Sequence, residues 1–218
     1  AKEEDMLTSR TLLKKGIAIE RVLQSVIIDK RINPDTVLVG DRNAIIVAMR
    51  VAGYGSDYNT TVACPSCGAS QEYSFDLQDA NIYHGEDASD LEIKDNGNGT
   101  FDVQLPRTKV VATFRLLTGF HEKALLKNIE SARKRKSQEK TITTQLRSML
   151  VAVNGDTSAE AVQYMIENMP SMDSRHLRLA YRLATPNVDL TQQFECNECD
   201  YEQDMEVPLG ADFFWPDR

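Results

Sequence analysis

The chain has 218 residues, 41% hydrophobic and 27% charged, with a formal net charge of −8 and a pI near 5.0. That length and apolar content support a soluble globular protein of one generous domain or two small ones, and no run is long enough to be a membrane-spanning helix. The acidic balance argues against a general nucleic-acid binder, and no charged-then-apolar leader opens the sequence, so neither insertion nor export is expected.

Residues 1–16 are polar and charged, and are expected to be a mobile arm or a segment ordered only against a partner. Residues 17–58 form an N-terminal helical segment. Ile17, Ile19, Val22, Leu23, Val26 and Ile27 recur at helical spacing and stop before the Asn33-Pro34-Asp35 turn. Gly40-Asp41 then offers an N-cap, and Ala44, Ile45, Ala48, Met49 and Ala52 form a second helical face closed by Gly53 and Gly55. Residues 59–117 hold a first cysteine hairpin and strands on either side of the turn Asn96-Gly97-Asn98-Gly99. Leu91–Ile93, Phe101–Val103 and Val110–Leu117 are expected to extend that hairpin into a small sheet.

Residues 118–186 read as four helical segments. Glu122–Lys136 aligns Leu125, Leu126, Ile129 and Ala132, and Thr141–Val153 aligns Ile142, Leu146, Met149, Leu150 and Val153. Thr157 and Glu160 have capping-box spacing before Val162, Met165 and Ile166. The last helix starts near Ser171–Asp173, uses Met172, Leu179 and Leu183, and ends before Pro186. Residues 187–218 re-enter a second cysteine hairpin and end in Phe213-Phe214-Trp215-Pro216. Large apolar side chains beside a terminus need a cover. Phe213, Phe214 and Trp215 are therefore expected either to pack on the chain's own core or to anchor a partner, with the partner contact favoured because Asp212 and Asp217 flank them as a polar rim.

All four cysteines fall in two Cys-x-x-Cys pairs, Cys64/Cys67 and Cys196/Cys199. Two residues between thiolates let both bind one cation, so the pairs make a complete four-sulfur set for one structural zinc per chain. More than half of the chain lies between the pairs, and a shared ion requires that stretch to leave and return as an inserted subdomain. Counting from each first cysteine, Gln71/Gln203, Glu72/Asp204, Tyr73/Met205, Phe75/Val207 and Leu77/Leu209 stand at equal offsets, which marks two equivalent half-sites. The fold class that follows is α+β: split zinc-ribbon-like β-hairpins with an inserted β-hairpin and helical subdomain, preceded by N-terminal helices.

Other chemistries are weaker. A thioredoxin-like pair needs a helix opening at its first cysteine, but strand-like alternation follows both pairs. The basic run Arg133-Lys134-Arg135-Lys136 could court nucleic acid, although it also reads as a solvated helix end. Residues 189–218 carry nine acidic side chains against Arg218 alone, the wrong sign for phosphate. His84, His121 and His176 stand apart, and no nucleophile elbow or phosphate loop occurs, so no catalytic residue is assigned.

The ordered set Gly40-Asp41-Arg42-Asn43-Ala44-Ile45, Gly53-Tyr54-Gly55, Cys64-Pro65-Ser66-Cys67-Gly68, Leu117-Thr118-Gly119, Asn168-Met169-Pro170, Cys196-Asn197-Glu198-Cys199 and Phe213-Phe214-Trp215-Pro216 resembles the T4-like bacteriophage baseplate hub family over about residues 17–216. The resemblance implies a structural or assembly role in a contractile tail's baseplate. It further implies other phage tail and baseplate proteins as partners, and a place in the virion or, during assembly, in the host cytoplasm. It implies no small-molecule substrate and no membrane. One departure is the second knuckle, where Asp200 stands in place of the glycine that follows the first. Aspartate tolerates the left-handed backbone needed there, so ligation is expected to survive with less ideal geometry.

Overall fold

The computed structural model describes residues 5, 6, 9, 17–85, 91–134, 141–208 and 213. It is a mixed α+β chain in two units: Ala1–Pro34, Asp41–Tyr83 and Asn187–Arg218 make the first, and Asp35–Gly40 with His84–Pro186 make the second.

In the first unit, helix α1 (Ala18–Val26) buries Ala18, Val22 and Leu23. Its open C-terminal carbonyls are met by Lys30, whose Nζ donates to the carbonyls of Gln24, Ser25 and Ile27 at 2.9, 3.1 and 2.6 Å. Helix α2 spans Val39–Tyr54. Of its expected face, Ala44 and Met49 pack against the core but Ala48 and Ala52 are exposed, while Val47 and Arg50 are buried. Residues 44–52 are apolar nearly all round, so periodicity leaves the helix's rotation open. The Arg50 guanidinium decides it, donating to the carbonyls of Gly55 (2.7 Å) and Asp57 (3.1 Å) where the helix turns into the first strand.

Strands β1 (Asp57–Ala63) and β2 (Ser70–Asp76) pair antiparallel and form the first cysteine hairpin. Strand β3 (Asn81–Tyr83) pairs with β8 (Asn187–Asp189), and β9 (Thr191–Glu195) with β10 (Glu202–Glu206) forms the second cysteine hairpin. Alternate residues turn inward, and Tyr58, Phe75, Leu77 and Phe194 fill the core. Phe213 joins them with no exposed surface, its ring set edge-on to Tyr58 at 5.4 Å. Tyr58 also donates to the Pro208 carbonyl at 2.9 Å, which ties the returning chain to the same core.

Among the described residues the second unit has a four-stranded antiparallel sheet, in the order β4 (Lys94–Asp95), β5 (Thr100–Gln104), β6 (Val111–Arg115), β7 (Leu150–Val153), with four helices. These strands do not extend the cysteine hairpin as expected; they form a sheet of their own. The fourth strand comes from residues whose spacing also fits a helix. The helix that begins at Thr141 ends at Met149, and Leu150-Val151-Ala152-Val153 pairs instead with Ala112–Phe114. Two β-branched residues and an alternating buried pair, Leu150 and Ala152, favour the strand. Asn154 and Gly155, at φ 50° and 81°, then make the tight turn in which Val153 and Asp156 exchange backbone bonds at 2.9 Å.

Helix α3 covers Gly119–Lys134, α4 Thr141–Met149, α5 Ala159–Asn168 and α6 Ser171–Ala184. The cap of α5 lies one residue later than expected, since Ser158 Oγ accepts from the Ala161 amide. On α6 the inward side is Asp173, Leu177, Ala180 and Ala184, and Met172 points outward. The Asp173 carboxylate sets that rotation, because it accepts from the amides of Arg107 (2.8 Å) and Thr108 (3.0 Å) in the β5–β6 loop. The hydrophobic core here gathers Leu105, Phe114, Met149 and Leu177. Of the basic run, Arg133 and Lys134 close α3, and Arg135 and Lys136 lie outside the described residues.

Two substitutions test these cores. Phe213→Ala removes a fully buried ring, and denaturant unfolding is expected to show a loss of about 3–5 kcal/mol. Asp173→Asn is expected to cost roughly 1–3 kcal/mol by weakening two charge-assisted bonds. Burial opposes ionisation of Asp173, but the Arg107 and Thr108 bonds outweigh it and hold the carboxyl below its ordinary 3.8. Its contribution is therefore complete above that value and lost as pH falls below it, so the variant should show a flatter acid limb in a stability–pH profile.

Candidate metal centre

Each cysteine pair sits on the turn of its hairpin, and the two turns are built alike. In the first, the Cys64 amide donates to Ala69 O at 2.8 Å and the Gly68 amide to Cys64 O at 2.9 Å; in the second, the Cys196 amide donates to Tyr201 O and the Asp200 amide to Cys196 O, both at 3.0 Å. The turns require left-handed backbone at equivalent places, which Gly68 supplies at φ 75° and Asp200 at φ 53°. The missing glycine of the second knuckle therefore does not alter its path. The cost of an L-residue in this region is about 1 kcal/mol, and aspartate is among those that bear it best.

The two turns meet tip to tip. The Sγ atoms of Cys64, Cys67, Cys196 and Cys199 all lie within 4.8 Å of one another, with Cys64–Cys199 and Cys67–Cys196 at 3.8 Å. Four sulfurs from two remote segments can thus hold one metal ion. The first cysteine of each pair is buried and the second exposed. Charge is divided unevenly among them. The Cys67 amide draws the Cys64 thiol down to about 7, with a further bond from Ser66. The Tyr201 amide also draws on Cys199, but burial and the bonds with Cys67, Cys196 and Cys64 outweigh it and push that thiol up to about 12. The first thiolate is easily made and the last strongly opposed by its neighbours, a conflict that a bound dication removes.

The hairpins share no backbone ladder; side chains join them. Gln71 Nε2 donates to Glu195 O at 2.9 Å, and its Oε1 accepts from the Asn197 amide at 2.9 Å. Lower down, the Asp76 amide donates to Gln192 Oε1 at 3.2 Å and Gln192 Nε2 donates to Asp76 O at 2.6 Å. Between them Tyr73 donates to Gln193 O at 2.9 Å, and its ring packs at 4.9 Å on Phe75 and 5.2 Å on Phe194. Each glutamine uses both ends of its amide on backbone groups, imitating a strand that is not there. The expected half-sites thus make unlike contacts at this seam, because Gln203, which matches Gln71 by offset, accepts from Tyr201 Oη instead. Sequence reasoning did not assign Gln71 and Gln192 this role. The available signal was an amide side chain on the inward register of a strand, where an apolar residue is usual.

Of the proposed partner-binding aromatics, Phe213 lies in the core of its own unit, and Phe214 and Trp215 fall outside the described residues. His121 serves locally: its Nδ1 accepts from the Thr118 amide at 3.1 Å at the start of α3, and burial, with Arg115 nearby, lowers its pKa. Among the described residues no helix is long and apolar enough to cross a membrane.

A family model described as T4 bacteriophage base plate protein matches residues 1–215 of the chain. No curated protein and no solved structure matches.

Gln71→Ala should separate the seam from the sulfur cluster. It removes two hydrogen bonds to backbone without touching a cysteine, and is expected to lower stability by roughly 1–2 kcal/mol. An ion held by the four sulfurs would then pass to a chelator faster at unchanged metal content, measured with a colorimetric metal indicator.

Proposed function

We propose that this chain, which belongs to the T4 bacteriophage base plate protein family, is a non-catalytic component or assembly factor of the baseplate hub, held together by one structural zinc. The family match spans nearly the whole chain, and membership implies contacts with other phage tail proteins. The observation that carries the metal reading is the sulfur geometry. Tetrahedral thiolate coordination at about 2.3 Å has edges near 3.8 Å, the separation found for both cross-hairpin pairs.

Cys64, Cys67, Cys196 and Cys199 would hold the ion, which would supply a crosslink between segments far apart in the chain. Four thiolates close a tetrahedral shell and leave no position for water or substrate, which favours a structural ion over a catalytic one. The remaining chemistry of the hairpins agrees with a protein-binding role. On β10 the outward residues Glu202, Asp204 and Glu206 are exposed, a face that repels phosphate. The cysteine turns join strands to strands, so neither first cysteine has the helix N-terminus that activates a redox pair.

One zinc per chain is expected by elemental analysis, and Cys196→Ser should lose it. Because binding is coupled to folding, chelation or the substitution should lower the melting temperature of the first unit, by several kcal/mol in stability. Thiolate ligation also predicts that the ion is released as pH falls, with protons taking its place. Two ions per chain, or an unaltered content in the variant, would refute the shared site. Co-purification with neighbouring tail proteins, followed by electron microscopy, tests the hub assignment.

A further inference from the structure

The ladder bonds of the first unit fix which way each strand's backbone groups point. In β1–β2 the Cys64 amide donates to Ala69 O and the Leu77 amide to Ser56 O, so the even-numbered residues of β1 bond to β2. The N–H and C=O groups of Asp57, Asn59, Thr61 and Ala63 therefore point away from it. By the same alternation β2 turns Asp76 outward and β9 turns Gln193 and Glu195 outward, and these are the groups that Gln192, Tyr73 and Gln71 clamp. Strand β10 turns Glu202, Asp204 and Glu206 outward, so its edge carries three exposed carboxylates. Charge of that kind keeps an edge strand from pairing.

Strand β1 has neither protection. Arg50 covers only the first outward carbonyl, that of Asp57. Beyond it Asn59, Thr61 and Ala63 are exposed, and among the described residues their outward backbone groups have no partner. No charge, proline or bulge interrupts Asn59-Thr60-Thr61-Val62-Ala63.

We propose that β1 pairs with β1 of a second copy of this chain, antiparallel and centred on Thr61, so that two β1–β2 hairpins become one four-stranded sheet. The alternation selects this occupant. A two-fold axis at Thr61 sets Asn59 against the partner's Ala63, Thr61 against the partner's Thr61, and Ala63 against the partner's Asn59, and these are the residues with open backbone groups. Each copy supplies the strand that the other lacks. The pairing is neutral throughout, and threonine facing threonine is a favourable cross-strand pair. Self-pairing of β10 in the same manner would set Asp204 on Asp204 and Glu202 on Glu206, which like charge opposes. Tyr58 and Val62 stay turned to their own core. Neither the metal nor the base plate assignment enters into this pairing.

The test uses the full chain as purified, in sedimentation velocity and amide hydrogen exchange over a concentration series. A reversible dimer is expected. In it the amides of Asn59, Thr61 and Ala63 should exchange roughly 10-fold or more slowly than in dilute solution, while those of Glu202, Asp204 and Glu206 keep their rates. Thr61→Lys and Thr61→Glu each put like charges on the axis and should weaken the dimer roughly 10-fold or more. The monomer's melting temperature should hold, because residue 61 is exposed and its amide takes no part in the β1–β2 ladder. Mixing the two variants should restore the dimer, as opposite charges then meet across the axis. Thr61→Pro removes the outward N–H without adding charge and should also favour the monomer. A wild type that stays monomeric, a dimer that survives all three substitutions, or charge variants that fail to pair on mixing would each overturn the proposal. A monomeric wild type that instead captures a different protein in a Thr61-dependent manner would give the edge to that protein's strand and refute self-pairing.

Discussion

Four thiol groups from two distant segments have to meet at one point, and the first unit is arranged around that requirement. Like groups that lose protons do not gather without cause: the charge of each thiolate opposes the next, in keeping with a Cys199 thiol pushed up to about 12 by burial and its cysteine neighbours. Three devices hold them together in this chain. The knuckle turns fix each pair internally, the paired glutamines Gln71 and Gln192 clamp hairpin to hairpin, and the Tyr73–Phe75–Phe194 cluster fills the space beneath. The metal reading completes this set, since a dication converts mutual repulsion into attraction.

The sulfur site is therefore better understood as part of a core than as a pendant. Small β-hairpins cannot bury enough apolar surface alone, and two-stranded ribbons are marginal in water. In the first unit three such ribbons, β1–β2, β3–β8 and β9–β10, share one apolar cluster, and each has free edges among the described residues. Phe213 adds a ring from the far end of the chain to the same cluster, and Tyr58 receives it. The unit draws on the beginning, an inner part and the end of the chain, so that its integrity depends on long-range closure. A crosslink is most useful in that circumstance, because the loop it closes in the unfolded chain is long.

The second unit solves the same problem differently. It lies mostly in one continuous stretch, and its sheet is covered by helices whose inward faces are set by particular polar contacts. Asp173 receives two loop amides, and Lys123 meets Asp35 at 2.7 Å across residues remote in sequence. Such partly buried charged contacts specify which face turns inward more than they add to stability. That view fits the whole chain: Arg50, Asp173 and the two seam glutamines each sit where apolar patterning alone leaves a choice open.

The local instructions were legible from residue order. The two cysteine pairs, their period-2 flanks, the left-handed positions at Gly68 and Asp200, the Asn-Gly turns, the first helix and the limits of the last helix all depend on neighbours a few residues away. Spacing could also nominate the four cysteines as one site, since sulfur is scarce and metal ligation restricts its geometry. Tertiary structure decided what neighbours leave degenerate. Leu150–Val153 satisfies a helix or a strand by pattern, and the unpaired edge of β6 made it a strand. Helix α2 is apolar on several sides, and the carbonyls of Gly55 and Asp57 chose the side that carries Arg50. The strands after the first hairpin could have extended it, but paired among themselves. Phe213 could have faced a partner or its own core, and Tyr58 offered it a fully buried place. In each instance the local energies of the alternatives are close, and contacts supplied from elsewhere in the chain selected one.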